Sequence, residues 1–331
     1  MLRAPLTFFR TLATLAILSS IAAIAFFAAL KSGSIDVSVA EVASALSGRA
    51  HDEHAAIVRD LRLPRALAAF AVGALLAIAG ALMQVLLRNP LADPYVLGIS
   101  GGAAVGALGA LLVGATVATG PAAFGGALVS TLLVFSLARS DTERTPWAPT
   151  RLLLTGVVIA AGWGAMIALL LTLAPAAQVK GMVYWLLGDL SGATAPGLTF
   201  AALLLVLVAA LALARDLNAL VHGVDDATAL GVDVPKLALM LYALTALATS
   251  AAVTTAGSVG FVGLVVPHAM RLWLGNDQRL LVPAAAIAGG SLLVVADTAA
   301  RTIVAPLELP VGVLTAMIGV PAFLWLLSRG R

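Results

Sequence analysis

The chain contains no cysteine, so neither a disulfide framework nor a thiolate metal site can be built from it. Charged side chains make up only 11% of its 331 residues, against about a quarter in soluble globular domains. Aromatics are scarce at 5%. The three lysines, Lys31, Lys180 and Lys236, follow Leu, Val and Pro, so no glycine-lysine phosphate loop is present and the chain cannot bind ATP in the Walker manner. No HExxH zinc motif, no GxSxG elbow and no chain of acids inside an apolar run appears. An intramembrane enzyme therefore has little support. The net charge of +3 comes without a basic cluster, which removes nucleic acid as a partner.

What remains is apolar. Hydrophobic residues account for 61% of the chain, and the mean hydropathy is +1.07. Ala, Leu, Gly and Val dominate in long runs, which favours closely packed membrane helices over the ten-residue alternation of a β-barrel. A span needs roughly 20 apolar residues. Runs of that kind occupy 11–30, 66–87, 95–114, 122–138, 152–173, 195–214, 237–256, 280–299 and 306–327, and a shorter piece at 259–267 brings the expectation to ten. The fold class expected is an all-α polytopic membrane protein forming a single domain over residues 1–331. The first run, Thr11 to Leu30, is longer than the roughly 7–15 residues of a signal-peptide core and reads as a retained span. An even span count puts both termini on one side. Placing them in the cytoplasm leaves twelve Lys and Arg inside against seven outside, as the positive-inside rule requires.

Several segments carry more than hydropathy. On the outer side, Ser38-Val-Ala-Glu41 is a capping-box pattern before Val42, Ala45 and Leu46, with Gly48 as the stop. "RDLRLPR" at 59–65 sets arginines where the charge rule disfavours them. They serve either as snorkelling flanks or as a docking point for something acidic, since arginine pairs carboxylates through two bonds. Arg301 in "ADTAAR" is a second outward cation, or else the i,i+4 partner of Asp297. "QVKGMVYWLLGDLSGA" at 178–193 places Met182, Trp185 and Leu186 on one side of a helix too short to span and stopped by Gly188; Tyr184 and Trp185 also suit an aromatic belt.

In "RNPLADPYVLGISGGAAVG" Pro90 and Pro94 forbid a continuous helix. Asp93 belongs at an inner surface or a wet cavity, and Gly98, Gly102 and Gly106 form a doubled GxxxG packing face. The glycine punctuation of "GSVGFVGLVVPHAMRLW" at 257–273 echoes it, as an inverted repeat would. His268 in that segment has no partner at ligand spacing, which favours a structural histidine over a metal ligand or proton relay.

Finally, "DLNALVHGVDDATALGVDVP" at 216–235 reads as two short capped helices. Asp216 caps Leu217 to His222 before Gly223, and Asp225 or Asp226 caps a second piece through Leu230 before Gly231. Leu217, Leu220, Val221, Ala227 and Leu230 give these helices apolar faces for a partner's groove, or for packing on their own spans.

The chain resembles the type II ABC importer permeases that carry cobalamin, haem and ferric siderophores. The resemblance rests on "RLPR" at 62–65, "GALLAIAGALMQVLLRNPLADPYVLGISGGA" at 73–103, "WLLG" at 185–188, "LGV" at 230–232, "GFVGLVVPHAMR" at 260–271, "ADTAAR" at 296–301 and "LPVGVLTAMIGVPAFLWLL" at 309–327. It runs nearly end to end. It implies a homodimer of ten-span subunits in the bacterial inner membrane, two ATPase subunits that bind ATP and Mg, and a periplasmic binding protein. It also implies docking of that protein at Arg62, Arg65 and Arg301, and ATPase coupling through about 216–233, including Gly223, Asp225 and Gly231. A periplasmic gate helix at about 177–187 would carry Lys180, Met182, Trp185 and Leu186. The chain itself would hold no cofactor or metal and do no covalent chemistry. Lys180 and the outer arginines lean towards an anionic cargo such as haem, with cobalamin or a ferric siderophore as alternatives. An ion-coupled secondary transporter is the remote one.

Overall fold

In a computed structural model, residues 8–33, 35–48, 52–139, 149–193 and 195–329 are described, and every regular element among them is helical. Arg3, Arg49, Arg144 and Arg331 of the charge comparison lie outside the described residues. In chain order the helices are α1 (Phe8–Lys31), α2 (Val39–Leu46), α3 (Glu53–Ala56), α4 (Leu63–Leu86), α5 (Ile99–Leu112), α6 (Thr119–Ala138), α7 (Pro149–Leu173) and α8 (Ala176–Leu186). They continue as α9 (Gly197–Ala212), α10 (Ala214–His222), α11 (Val224–Ala229), α12 (Val234–Ala256), α13 (Val262–Leu274), α14 (Gln278–Thr302) and α15 (Val311–Arg329).

Six helices are long and apolar enough to cross a membrane, α9 reaches that length only together with α10, from which it is bent by 59°, and three shorter apolar helices are α5, α13 and most of α15. Six, one and three make ten apolar helices among the described residues, in keeping with the ten runs that hydropathy picks out. The boundaries differ in one instructive place. The short piece expected to stop at Pro267 continues as α13 to Leu274. The ring of Pro267 removes one helical donor, and Gln84 Nε2 supplies a bond to the neighbouring Leu264 carbonyl at 3.2 Å.

Helix α4 is the axis of the bundle, packed against α14, α12, α13 and α9. Its apolar window is 89% buried, whereas that of α7 is only 11% buried. Small residues permit this crowding. A β-carbon on Gly73 would overlap the Gly289 carbonyl of α14, and one on Gly80 would overlap the Gly263 carbonyl of α13. With no hydrophobic drive between helices in lipid, close backbone approach is what holds such a bundle. Helices α5 and α6 use the same device: β-carbons on Gly102 or Gly106 would strike the Gly126 and Ala122 carbonyls. Gly98 is in the left-handed region at φ 69° and starts α5; its carbonyl accepts from Ser130 Oγ at 2.8 Å, which in turn accepts from Trp163 Nε1 of α7 at 2.9 Å.

The capping box forms as the sequence predicts. Ser38 N donates to Glu41 Oε2 at 2.6 Å, Glu41 N donates to Ser38 Oγ at 3.3 Å, and Gly48 turns the chain at φ 74°. Helices α2 and α3 close over a small core of their own made by Leu30, Val37, Val42, Ala45, Ala55 and Val58.

Candidate functional site

Three constructions stand out, two near one end of the bundle and one at the other. The first gathers the N-terminal end of α4, the C-terminal ends of α1 and α14, and the segment leading into α15. A helix C-terminus leaves carbonyls without partners and carries negative partial charge. Arg62 answers that need for α1: Nη1 donates to the Leu30 and Lys31 carbonyls at 2.8 and 2.7 Å, and Nη2 donates to the Ile35 carbonyl. Gly33 leaves the room, since a β-carbon there would lie 2.6 Å from Nη2. Arg301 reaches the same helix end, with Nη2 on the Ala29 carbonyl at 3.3 Å and Nη1 on the Ser32 carbonyl at 3.4 Å.

Asp297 ties the cluster together. It takes Nη2 of Arg65 at 3.0 Å and Nε of Arg301 at 3.2 Å, the latter being the i,i+4 pair that the spacing predicts. Arg65 also gives Nη1 to Glu308 Oε2 at 2.8 Å. The side chain of Asp297 is 2% exposed and that of Glu308 46%. A groove of about 290 Å³ opens beside these groups, bordered by Arg62, Arg65, Arg301, Glu308 and Ser191. Of the alternatives that the sequence leaves open, the i,i+4 pair of Arg301 with Asp297 forms, and all three arginines have partners within the chain. Arg62 and Arg301 are 5% and 8% exposed and serve the chain's own carbonyls, while Arg65 is held by two carboxylates.

The second construction is the short helix after α7. α8 runs from Ala176 to Leu186 and ends at Gly188, whose φ of 85° suits glycine. Met182 is fully buried, Trp185 and Leu186 are half-buried, and the exposed Lys180 places Nζ 5.7 Å from the Tyr184 ring centroid. Backbone bonds fasten its C-terminal end: Val311 N to the Gly188 carbonyl and Gly312 N to the Leu187 carbonyl, each 3.0 Å, and Asp189 N to the Ala256 carbonyl at 2.8 Å. Tyr184 Oη adds a bond to the Glu308 carbonyl at 3.3 Å.

The third lies at the other end of α14. Helices α10 and α11 form where predicted and are closed by Gly223 and Gly231, with φ of 140° and 83°. Two details differ. Asp216, Asp225 and Asp226 sit inside the first turns, where they suit the helix dipole, rather than at the caps. Leu217, Leu220 and Ala227 are buried within this chain, so they fasten the helices to the spans instead of entering a partner; Val221 is half-buried and Leu230 is 70% exposed. Leu230, Gly231 and Val232 border a groove of about 460 Å³ with Asp216, Ala219 and His222.

One residue that the sequence reading missed organises this end. Asn218 Nδ2 donates to Asp277 Oδ1 at 2.9 Å, and Asn218 Oδ1 accepts from Gln278 N at 2.8 Å, tying α10 to the start of α14. The partners lie about sixty positions away, so no local pattern announces them. His268 stands edge-on to Phe323 at 6.4 Å, and among the described residues no three His, Asp or Glu side chains gather as a metal site would require.

A bundle of apolar crossings with a shaped polar cluster at one end, an amphipathic helix pair at the other and no phosphate loop is the class of a membrane permease powered by another chain. The profile of the FecCD transport family matches residues 21–329, and the chain belongs to that family. It is 44% identical over 275 residues to the cobalamin import system permease protein BtuC of Halobacterium salinarum, covering 82% of this chain and 73% of that one. It is 42% identical over 282 residues to the hemin transport system permease protein HmuU of Yersinia pestis, covering 82% and 83%. Among solved structures, one described as an inward-facing conformation of a metal-chelate type ABC transporter superposes with a TM-score of 0.83 at 26% identity, over 96% of this chain and 99% of that one. The chain is thus a multi-pass permease subunit of a type II ABC importer and is not itself an enzyme.

Proposed function

We propose that this chain forms the membrane pathway of an ATP-driven importer that takes a large iron chelate or corrinoid from a periplasmic binding protein across the bacterial inner membrane. The observation that carries this reading is the placement of the arginine cluster and the coupling pair at opposite ends of α14. That helix starts at the Asn218–Asp277 bond and ends at Asp297 and Arg301. Both termini are cytoplasmic, the α10–α11 surface meets an ATPase, and the cluster faces the periplasm. Two copies pair around the pathway. The nearly bare α7 supports that pairing, because an apolar helix so little covered by its own chain has a face to offer a second copy. Two ATPase subunits hold ATP and Mg; this chain needs no cofactor.

At the outer end, Arg65 is the arginine that an acidic residue of the binding protein engages, while Arg62 and Arg301 fix the floor beneath it. At the inner end, Leu230 and Val221, with Asp225 and the turns at Gly223 and Gly231, form the contact that carries ATPase closure into the spans. Helix α8, with Lys180, Met182, Trp185 and Leu186, gates the pathway. Haem is the favoured cargo, since exposed Lys180 on that helix suits its propionates. Cobalamin is the second reading, favoured by the 44% identical cobalamin permease.

Charge reversal at Arg65 tests docking. Affinity for the binding protein should fall and lose salt dependence, because a desolvated charge pair has been removed. Unchanged affinity and slope would rule docking out. The cargo is read from the binding protein that co-purifies with the complex, by its absorption spectrum and mass; a corrinoid rather than a porphyrin spectrum would overturn haem.

A further inference from the structure

We propose that Glu308 is a relay between the outer arginine cluster and the gate helix, so that an acidic partner that captures Arg65 releases α8. The proposal rests on the reading that such a partner docks at Arg65. One residue touches both constructions. Its carboxylate holds Arg65 Nη1 at 2.8 Å, and its main-chain carbonyl accepts from Tyr184 Oη of α8 at 3.3 Å. The segment it begins continues as a strap along the gate helix, with Val311 N on the Gly188 carbonyl and Gly312 N on the Leu187 carbonyl. A β-carbon on Gly312 would overlap that Leu187 carbonyl, so strap and gate helix are in direct backbone contact.

The two carboxylates on Arg65 are unequal in a way that sets the order of events. Asp297 is buried and shared with Arg301, so removing it would take a carboxylate from two guanidinium groups at once. Glu308 is 46% exposed, and among the described residues its carboxylate bonds only Arg65, a pair that water and a competing carboxylate can both displace. An incoming acid at the groove therefore replaces Glu308 and leaves Asp297 in place. Once displaced, Glu308 no longer tethers the strap to α4. The Tyr184 bond and the Leu187–Gly188 contacts then move with the strap as a unit, away from the cluster.

The chain contains no cysteine, which makes one reporter clean. Met182→Cys, at a fully buried position on α8, is labelled with a membrane-impermeant maleimide in the complete complex in nanodiscs. Added Glu308→Gln should speed labelling about 3-fold or more, and Glu308→Asp should restore part of the parent rate. Tyr184→Phe, which leaves the Arg65–Glu308 pair intact and removes one hydroxyl, should also speed labelling; it answers the question if the Gln variant fails to assemble. Parent rates in both Glu308→Gln and Tyr184→Phe, or in the latter alone if the former does not fold, would overturn the relay. The labelling needs no binding protein, so its result is separate from the Arg65 docking test: a relay can fail where docking holds, and the reverse.

Discussion

Asp297 accepts from Arg65 and Arg301 inside the bundle, and a buried ion pair is most costly when half of it is removed. Asp297→Ala should destabilise the chain by about 3–5 kcal/mol on that ground, read as a large fall in the melting temperature of the purified complex. Glu308→Gln, at an exposed pair, should cost no more than about 1 kcal/mol. Equal shifts for the two would mean that burial does not set the hierarchy at this cluster. How much of the cluster is legible in the sequence follows from distance along the chain. The Asp297–Arg301 pair lies at helical spacing and can be read directly. The carbonyls that hold Arg62 lie 27 to 32 positions away, and their need for a donor arises only once α1 ends against α4. The sequence therefore leaves Arg62 open between a snorkelling flank and a docking point, and does not point to these carbonyls.

At the scale of elements, two short structures behave differently from the spans. The α2–α3 cap is joined by His54 Nδ1 and Glu41 Oε1 at 2.6 Å. The Ser38 side chain and backbone, with His54, pull the Glu41 carboxyl down to about 2, and Glu41 raises the His54 imidazole above its ordinary value. The His54 contribution is complete below the unfolded imidazole value of 6.5 and fades as pH rises through the raised one. That of Glu41 is complete above 4.5 and fades as pH falls towards 2. Hydrogen-exchange protection factors of α2 amides should therefore peak between about 4.5 and 6.5. In His54→Gln the alkaline decline should vanish; its persistence would place the cause elsewhere.

The coupling pair invites a contrast of the same kind. Leu217→Ala empties a fully buried site and should cost about 2–5 kcal/mol of stability. Leu230→Asp, at a 70% exposed position, should leave the melting temperature within a degree or two yet weaken ATPase retention on size-exclusion chromatography. If Leu230→Asp kept the ATPase while Leu217→Ala lost it without unfolding, the partner's contact would be the inner face after all. Both helices and both closing glycines are legible from the sequence, because caps and stops are local. Which leucine faces inward is not, since an amphipathic face looks the same whether it meets its own spans or a partner.

For the whole molecule, the crossings were readable because span length is fixed by the membrane and not by the fold. Their arrangement was not. That α4 becomes the axis depends on glycines at positions 73, 80, 263 and 289 meeting across three helices, a pairing that single-sequence periodicity does not reveal. The arrangement makes α14, roughly 37 Å long at 1.5 Å per residue, a rod between the Asn218 bond and the arginine cluster. Under the proposed function, events at the ATPase contact and at the outer groove act on one continuous helix. The measurement that tests this account most directly is uptake into proteoliposomes containing the chain with and without its ATPase subunits. The liposomes are supplied with haem-loaded binding protein outside and ATP on the ATPase side. Accumulation should require ATP and the ATPase, and should stop when Arg65 is reversed to Glu. Accumulation by the chain alone, driven by an ion gradient, would contradict it.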